Sequence, residues 1–307
     1  MRSLTELALA RQTAGRARLA LLRDAAEAVA EEVRAAPARS AVHVVVDRVL
    51  VERQRVLPDA RLVSPLVALV RRALVIVAAD GTRILVDPTD AGPCTPYEER
   101  IASRHPLARR ALAARAADAA WPEVDVVVST SLALRSVARA RHALARLRWI
   151  APKQELEVAR EPPPLELARY ARTPAELEPF VGSRVLAPGV VVVETPGPTA
   201  GHASVAFSLG GQVFVHTHSG VTVDAWSPYE SRIPGLREAV RLRNVEAVLR
   251  GDATDPALAL EAMAIERALA DRRDDEPAML RIVPAMELEP SIFTPLLRPV
   301  LSALSTR

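Results

Sequence analysis

Apolar positions along the chain follow two alternating periods. Between residues 4 and 36 they recur every three or four places, at Leu7, Ala10, Ala14, Ala17, Leu21, Ala25 and Val29, the spacing of one helix face. This predicts one or two Ala-rich helices, closed at Pro37, whose ring removes a backbone donor. Residues 1–40 are therefore expected to form an N-terminal helical segment ahead of a domain over 41–307. From residue 41 the texture changes, and the β-branched runs at 44–46 and 49–51 read as strands. Residues 73–79 and 83–87 flank Asp80-Gly81, a tight-turn dipeptide between apolar runs, which predicts a hairpin.

The same reading continues to the end. A Pro- and Gly-rich loop at 88–96 leads into helical spacing over 97–120, which Trp121-Pro122 breaks. Residues 124–129 predict a short strand and 136–148 a helix, and Pro162-Pro163-Pro164 marks a connection between halves. Strands follow at 190–194, 203–209 and 212–217, the last two joined by Gly210-Gly211. A helix over 233–242, a strand over 246–249 and a helix over 258–271 complete the pattern. Each group of strands is mixed with helices, and two sheets covered by helices on their outer faces would bury every apolar face.

Composition narrows the function classes. The 307 residues suit one large α/β domain or two modest ones, and half of them are apolar. No apolar run reaches the length of a membrane span, and the first residues carry Glu6 among recurring Arg, unlike a secretory leader. The expected location is cytoplasmic. Cys94 is the sole cysteine, so neither an internal disulfide nor a thiolate cluster is available. A net charge of +3 with signs interspersed, and 3% aromatic residues, leaves nothing like a nucleic-acid platform. Phosphate-loop, nucleophile-elbow and dinucleotide signatures are absent from the sequence.

Three stretches are more specific. Residues 74–88 read LVIVAADGTRILVDP, with Asp87 at the strand tip. Residues 195–204 read TPGPTAGHAS, followed by SVAFSLGGQVFVH, and residues 245–254 read VEAVLRGDAT. Together they resemble the metallo-β-lactamase superfamily: its early hairpin, its Thr-Pro-Gly-His-Thr-x-Gly-His-x-Ser turn and its late strand ending in Gly-His. The resemblance implies a mixed α/β (α+β) fold, a four-layer αββα sandwich, here with the extra N-terminal helical segment. It also implies one or two metal ions, usually zinc, between the sheets, with a metal-bound water that attacks an ester, amide, thioester or phosphate.

The ligand positions that this resemblance implies are altered. The family's His-x-His-x-Asp-His motif follows a short strand, which matches VDVVVST at 124–130. Its ligands then fall on Ser131, Ala133, Arg135 and Ser136, and Arg135 sets a permanent cation where the metal should sit. The His of the turn falls on Pro198, the bridging Asp on His218 and the final His on Asp252. The expectation is a degenerate ligand set and no bound cofactor.

Some residues keep chemical potential. His216 and His218, two apart near a strand end, share a face. With His202 and Asp252 they suit a relocated zinc, which leaves a rearranged metal site open as the alternative. The opposing reading makes them strand-end residues bonded to the backbone in a polar mouth, with His202 supporting the turn. Asp87 braces loops or caps a turn, and Asp224 ends a nearby segment. The loop 220–235 concentrates Trp226 and Tyr229, which either stack on a ligand over the mouth or pack the loop onto the sandwich. The expected function is a metallo-β-lactamase-like binding or interaction module without the usual hydrolase site; the alternative is a metal-dependent hydrolase with a rearranged mononuclear centre. The expected partner is a small molecule or a protein, and the N-terminal helix offers a face for a second copy of the chain.

Overall fold

The computed structural model describes residues 1–15, 17–61, 66–88, 103, 122–132, 147–160, 177–217, 223–231, 233–249, 251, 253–270, 272–273, 280–282 and 300–303. The N-terminal periodicity resolves into two helices, α1 (Arg2–Gln12) and α2 (Arg18–Arg34). The chain turns between them at Gly15, which takes a φ of 92° that a side chain would disfavour.

The larger sheet is built from β1 (Ser40–Glu52), which runs into a one-turn helix α3 (Arg53–Val56), then β2 (Leu66–Val77), β3 (Arg83–Val86), β4 (Val126–Val128) and β5 (Arg148–Pro152). Helix α4 (Lys153–Arg160) and strand β6 (Glu178–Phe180) follow. The smaller sheet takes β7 (Arg184–Ala187), β8 (Val190–Glu194), β9 (Ala203–Leu209) and β10 (Gln212–His216). Helices α5 (Val223–Trp226), α6 (Leu236–Arg243) and α7 (Pro256–Leu269) come next, then β11 (Arg272–Arg273), β12 (Leu280–Ile282) and β13 (Val300–Ala303). Strand order is β13-β1-β2-β3-β4-β5-β6 in the first sheet, with β12 also on β2, and β11-β10-β9-β8-β7 in the second.

Burial follows from the strands' period of two. In β8, Val190 and Val192 point between the sheets, where they join Leu74, Ile76, Ile84, Val86, Val128, Val205 and Phe207. Val191 and Val193 point the other way, onto Leu7, Leu22, Val29 and Val33 of α1 and α2 and onto Ile265 and Leu269 of α7. Both faces of this strand are dry, so it reads as an unbroken Val run rather than an alternating one. On the outer face of the larger sheet, Leu85, Val127, Trp149 and Ala151 pack with Leu156 of α4. The layers are therefore helix, sheet, sheet, helix. Phe207 and Phe214, opposite each other on β9 and β10, stack with centroids 5.7 Å apart. No helix among the described residues is long and apolar enough to cross a membrane.

Both hairpin expectations hold locally. Val77 pairs with Arg83, Thr82 N donates to Asp80 Oδ1 at 2.9 Å, and Gly81 adopts a φ of 97°. Gly210 and Gly211 both take positive φ, as a two-residue turn between β9 and β10 requires. Other elements differ from expectation. The runs at 44–46 and 49–51 are one strand, broken by a register shift between Val45 and Asp47, and its partner β2 begins seven residues before the expected 73. The strand expected at 246–249 is irregular: Val248 N donates to Ala225 O at 2.8 Å, and Val248 sits in a loop core with Leu57, Leu236 and Val240. A short buried apolar run gives the same pattern in a loop as in a strand. Strands β5, β6 and β7 and helix α4 had no counterpart in the sequence reading. The helix expected over 136–148 reaches the described residues only at 147–148, where Arg148 opens β5. Of the helix expected over 97–120, only Ser103 is described; Cys94 and most of the 88–96 loop lie outside the described residues.

The docked helices give a test. Leu22 is fully buried and Leu9 is 59% exposed. Leu22→Ala is expected to lower unfolding free energy by about 2–5 kcal/mol, and Leu9→Ala by less than about 0.5 kcal/mol. Equal midpoints for both variants in urea titrations would mean that α2 does not dock on the smaller sheet.

Candidate functional site

The ends of β3, β4 and β10 meet at one buried carboxylate. Asp87 follows β3 with a φ of 53°, uncommon for a residue with a side chain. Its backbone N donates to Val128 O at 2.8 Å, which keeps β3 and β4 in register to their ends. Its Oδ1 accepts from Thr130 N at 2.8 Å and its Oδ2 from Thr130 Oγ1 at 2.6 Å. His216 Nε2 lies 3.1 Å from Oδ2, and since a carboxylate accepts, this ring nitrogen carries the proton. Asp87, Thr130 and His216 are all buried. Two residues of the larger sheet thus join one from the smaller, and Ala203 N donates to Thr130 O across the same gap at 3.0 Å.

The turn 195–204 has its own buried network. His202 Nδ1 donates to Thr195 O at 2.9 Å and lies 3.0 Å from Thr195 Oγ1. Because the backbone carbonyl only accepts, Nδ1 holds the proton. Thr195 Oγ1 sits 2.7 Å from Ser204 Oγ, which donates to Glu266 Oε1 at 2.7 Å, and Thr217 Oγ1 donates to the same oxygen at 2.7 Å. Gly197 anchors the turn on α7: its carbonyl accepts from Thr254 N and Asp255 N, and a Cβ there would fall 2.3 Å from Ala259 Cα. Asp255 caps that helix through Ala257 N and Leu258 N.

A third carboxylate, Glu155 of α4, went unnoticed in the sequence. It is buried, and among the described residues its donors come from two loops. Oε2 accepts from Ser131 Oγ at 3.1 Å and Leu132 N at 2.7 Å; Oε1 accepts from Thr199 Oγ1 at 2.5 Å and Gly201 N at 3.1 Å. No sequence signal marks it; in the structure Gly201 approaches it closely, and a Cβ there would fall 2.6 Å from Glu155 N.

Of the candidate residues, Ser131 and Pro198 lie on these two loops; Pro198 O accepts from Thr254 Oγ1 at 3.2 Å. His202 and His216 sit in the networks above. Asp224 is half-buried in α5, and Trp226 of the same helix packs with Val215, Ala247 and Met263. Tyr229 is exposed, with its hydroxyl donating to Val245 O at 3.2 Å. Ala133, Arg135, Ser136, His218 and Asp252 lie outside the described residues. Among the described residues no group of three or more His, Cys, Asp or Glu could hold a metal ion. Beside the turn, a cleft of about 310 Å³ opens between Lys153, Gln154 and Glu157 of α4, Phe180 and Val181, and Glu194, Pro196 and His202.

No family model matches the chain, and no curated protein matches it. Solved structures do. A quorum-quenching N-acyl homoserine lactone hydrolase superposes with a TM-score of 0.50 at 15% identity, covering 80% of this chain and 97% of that one. The chain has the metallo-β-lactamase fold. A second structure, solved to follow how indirect contributions of mutations optimise a new enzyme function, also gives 0.50, at 16% identity over 74% of this chain and 85% of that one. A hydrolase of the beta lactamase superfamily matches at 0.44, with 13% identity over 74% and 83% of the two chains.

This fold implies a metal held between the ends of the sheets, and the side chains at the described positions can be tested against it. The Ser131 hydroxyl donates to Glu155, and Pro198 has no side-chain donor atom for a metal. Zinc takes imidazole, thiolate or carboxylate, so these two residues do not fit it.

The Asp87 node yields a prediction. Asp87→Ala removes the acceptor of Thr130 N–H, Thr130 Oγ1–H and His216 Nε2–H in a dry site, which is expected to cost about 3 kcal/mol or more in chemical unfolding. Thr130→Val, which removes one hydroxyl donor, is expected to cost about 1 kcal/mol. An Asp87→Ala protein with wild-type stability would show that the carboxylate does not hold the strand ends.

Proposed function

We propose that this metallo-β-lactamase-fold protein has given up the family's zinc hydrolase site and acts as a binding or interaction module. The observation that carries this reading is the loop after β4, where the hydroxyl of Ser131, the residue that the sequence resemblance aligns with the first ligand, is engaged by a buried carboxylate. The aligned residues Ala133, Arg135, Ser136 and Pro198 point the same way by side-chain chemistry. The cleft beside the turn is of a size for a small molecule, with an apolar wall at Phe180 and Val181 and charged groups at Lys153, Glu157 and Glu194.

A second reading keeps hydrolysis, with one zinc relocated to His216, His218, His202 and Asp252. What favours it is the Asp87–His216 pair, since a carboxylate on the far nitrogen of a ligating imidazole is the usual support of such a site. The lactone hydrolase likeness adds lactones to the substrates worth trying.

Elemental analysis of protein purified without chelators separates the two. The binding-module reading expects far less than one zinc, iron or manganese per chain, and no metal-dependent turnover of lactone, ester, thioester or phosphodiester substrates. A ratio near one metal per chain, abolished by His216→Ala with His218→Ala and accompanied by turnover, would establish the hydrolase instead.

A further inference from the structure

Glu194 closes β8 and stands on the wall of the cleft beside the turn, where three contacts fix it. Its backbone N donates to Ser183 Oγ at 3.0 Å, and its Oε1 accepts from Gly182 N at 2.8 Å. Its carbonyl accepts from the Arg11 guanidinium of α1. We infer that this fixed carboxylate is the recognition group of the cleft, and that the occupant is a small organic ammonium carrying an apolar chain. The inference rests on the reading that the cleft is the binding place.

The chemistry of the lining selects this class. Three charged side chains line the cleft: Lys153, Glu157 and Glu194. Lys153 Nζ and Glu157 Oε1 lie 3.6 Å apart, one turn apart on α4, so their charges largely offset each other. The charge of Glu194 is left over, and its Oε2 takes no hydrogen bond among the described residues. The Arg11 cation reaches Glu194 through the main-chain carbonyl and is not part of the lining; Glu261 and Arg18 share its surroundings. Glu194 is half-buried, a setting in which a pair of opposite charges attracts more strongly than in open water.

The rest of the wall is apolar. Pro152, Phe180, Val181 and Pro196 line it, and Val181 is 74% exposed, so its methyl groups are there to be covered. At about 310 Å³ the cleft has room for a short chain beside the ammonium. An ammonium donates charge-assisted hydrogen bonds to Oε2, an alcohol only neutral ones, and a carboxylate meets like charge. Because Glu194 is held before any ligand arrives, little side-chain freedom remains to be lost on binding.

Calorimetric titration of the full chain with three probes of equal length, hexylammonium, hexan-1-ol and hexanoate, tests this. Hexylammonium is expected to bind saturably at one site, about tenfold or more tighter than either of the others. Glu194→Gln keeps an acceptor for Gly182 N while removing the charge, and is expected to abolish the preference for hexylammonium over hexan-1-ol. Val181→Ser, at an exposed position, is expected to weaken hexylammonium and hexan-1-ol alike, by about two- to fivefold. Absence of saturable binding, hexanoate binding as tightly as hexylammonium, or an unchanged preference in Glu194→Gln overturns the inference. Metal content and turnover are read separately: hydrolase activity alongside the expected ammonium preference would end the binding-module reading and leave the assignment of the cleft standing.

Discussion

A carboxylate removed from water must be surrounded by donors, and three such carboxylates govern the mouth of this sandwich. Asp87 collects Thr130 and His216; Glu155 collects Ser131, Leu132, Thr199 and Gly201; Glu266 collects Ser204 and Thr217. In each case donors come from distant parts of the chain, so satisfying the charge and assembling the fold are the same event. The apolar layers hold the sheets face to face without specifying how far the strand ends slide. The three acid groups supply that specification, because a shifted strand end would leave a buried anion short of donors.

The functional reading follows from the same accounting. In this fold a metal ordinarily gathers the loops at the strand ends, and its ligands are there because the cation needs them. Here the buried Glu155 accepts from both Ser131 and Thr199, so the loop after β4 and the turn also meet through a carboxylate. Under the proposed reading, a mouth built on internal hydrogen bonds would keep its shape without a bound ion. The proposed binding role draws on such a fixed surface, with the adjoining cleft as its proposed place of recognition.

How much of this was legible in the sequence depended on how local the cause was. The Asp80-Gly81 and Gly210-Gly211 turns announce themselves because a positive φ needs particular residues, and the long period of α2 and α7 survives in the apolar spacing. The β8 run was readable as a strand from its Val content, although its two-sided burial was not. By contrast, β5 ends in Pro152, β6 contains Pro179, and both are held by parallel partners far away in the sequence, so no local pattern marks them. Residues 246–249 misled for the opposite reason: a buried loop with apolar side chains imitates a strand. In the site, the turn at 195–204 could be recognised by its residues, whereas Glu155 could not, since a glutamate opening a helix looks like any solvated one. Its importance lies in what reaches it from two other loops.

The N-terminal helices have a consequence for how the chain comes together. Leu7, Leu22 and Val33 lie near the start, yet the surface they cover belongs to β8, β9 and β10 and to α7, all made in the far half of the chain. During synthesis these two helices can pack on each other, but the sheet and helix that cover the rest of their apolar face are not yet made. That remaining face stays uncovered until β8, β9, β10 and α7 have been made. A tag or fusion joined ahead of α1 therefore sits beside a layer whose partner surface is made late, and its effect is expected first on the yield of folded protein.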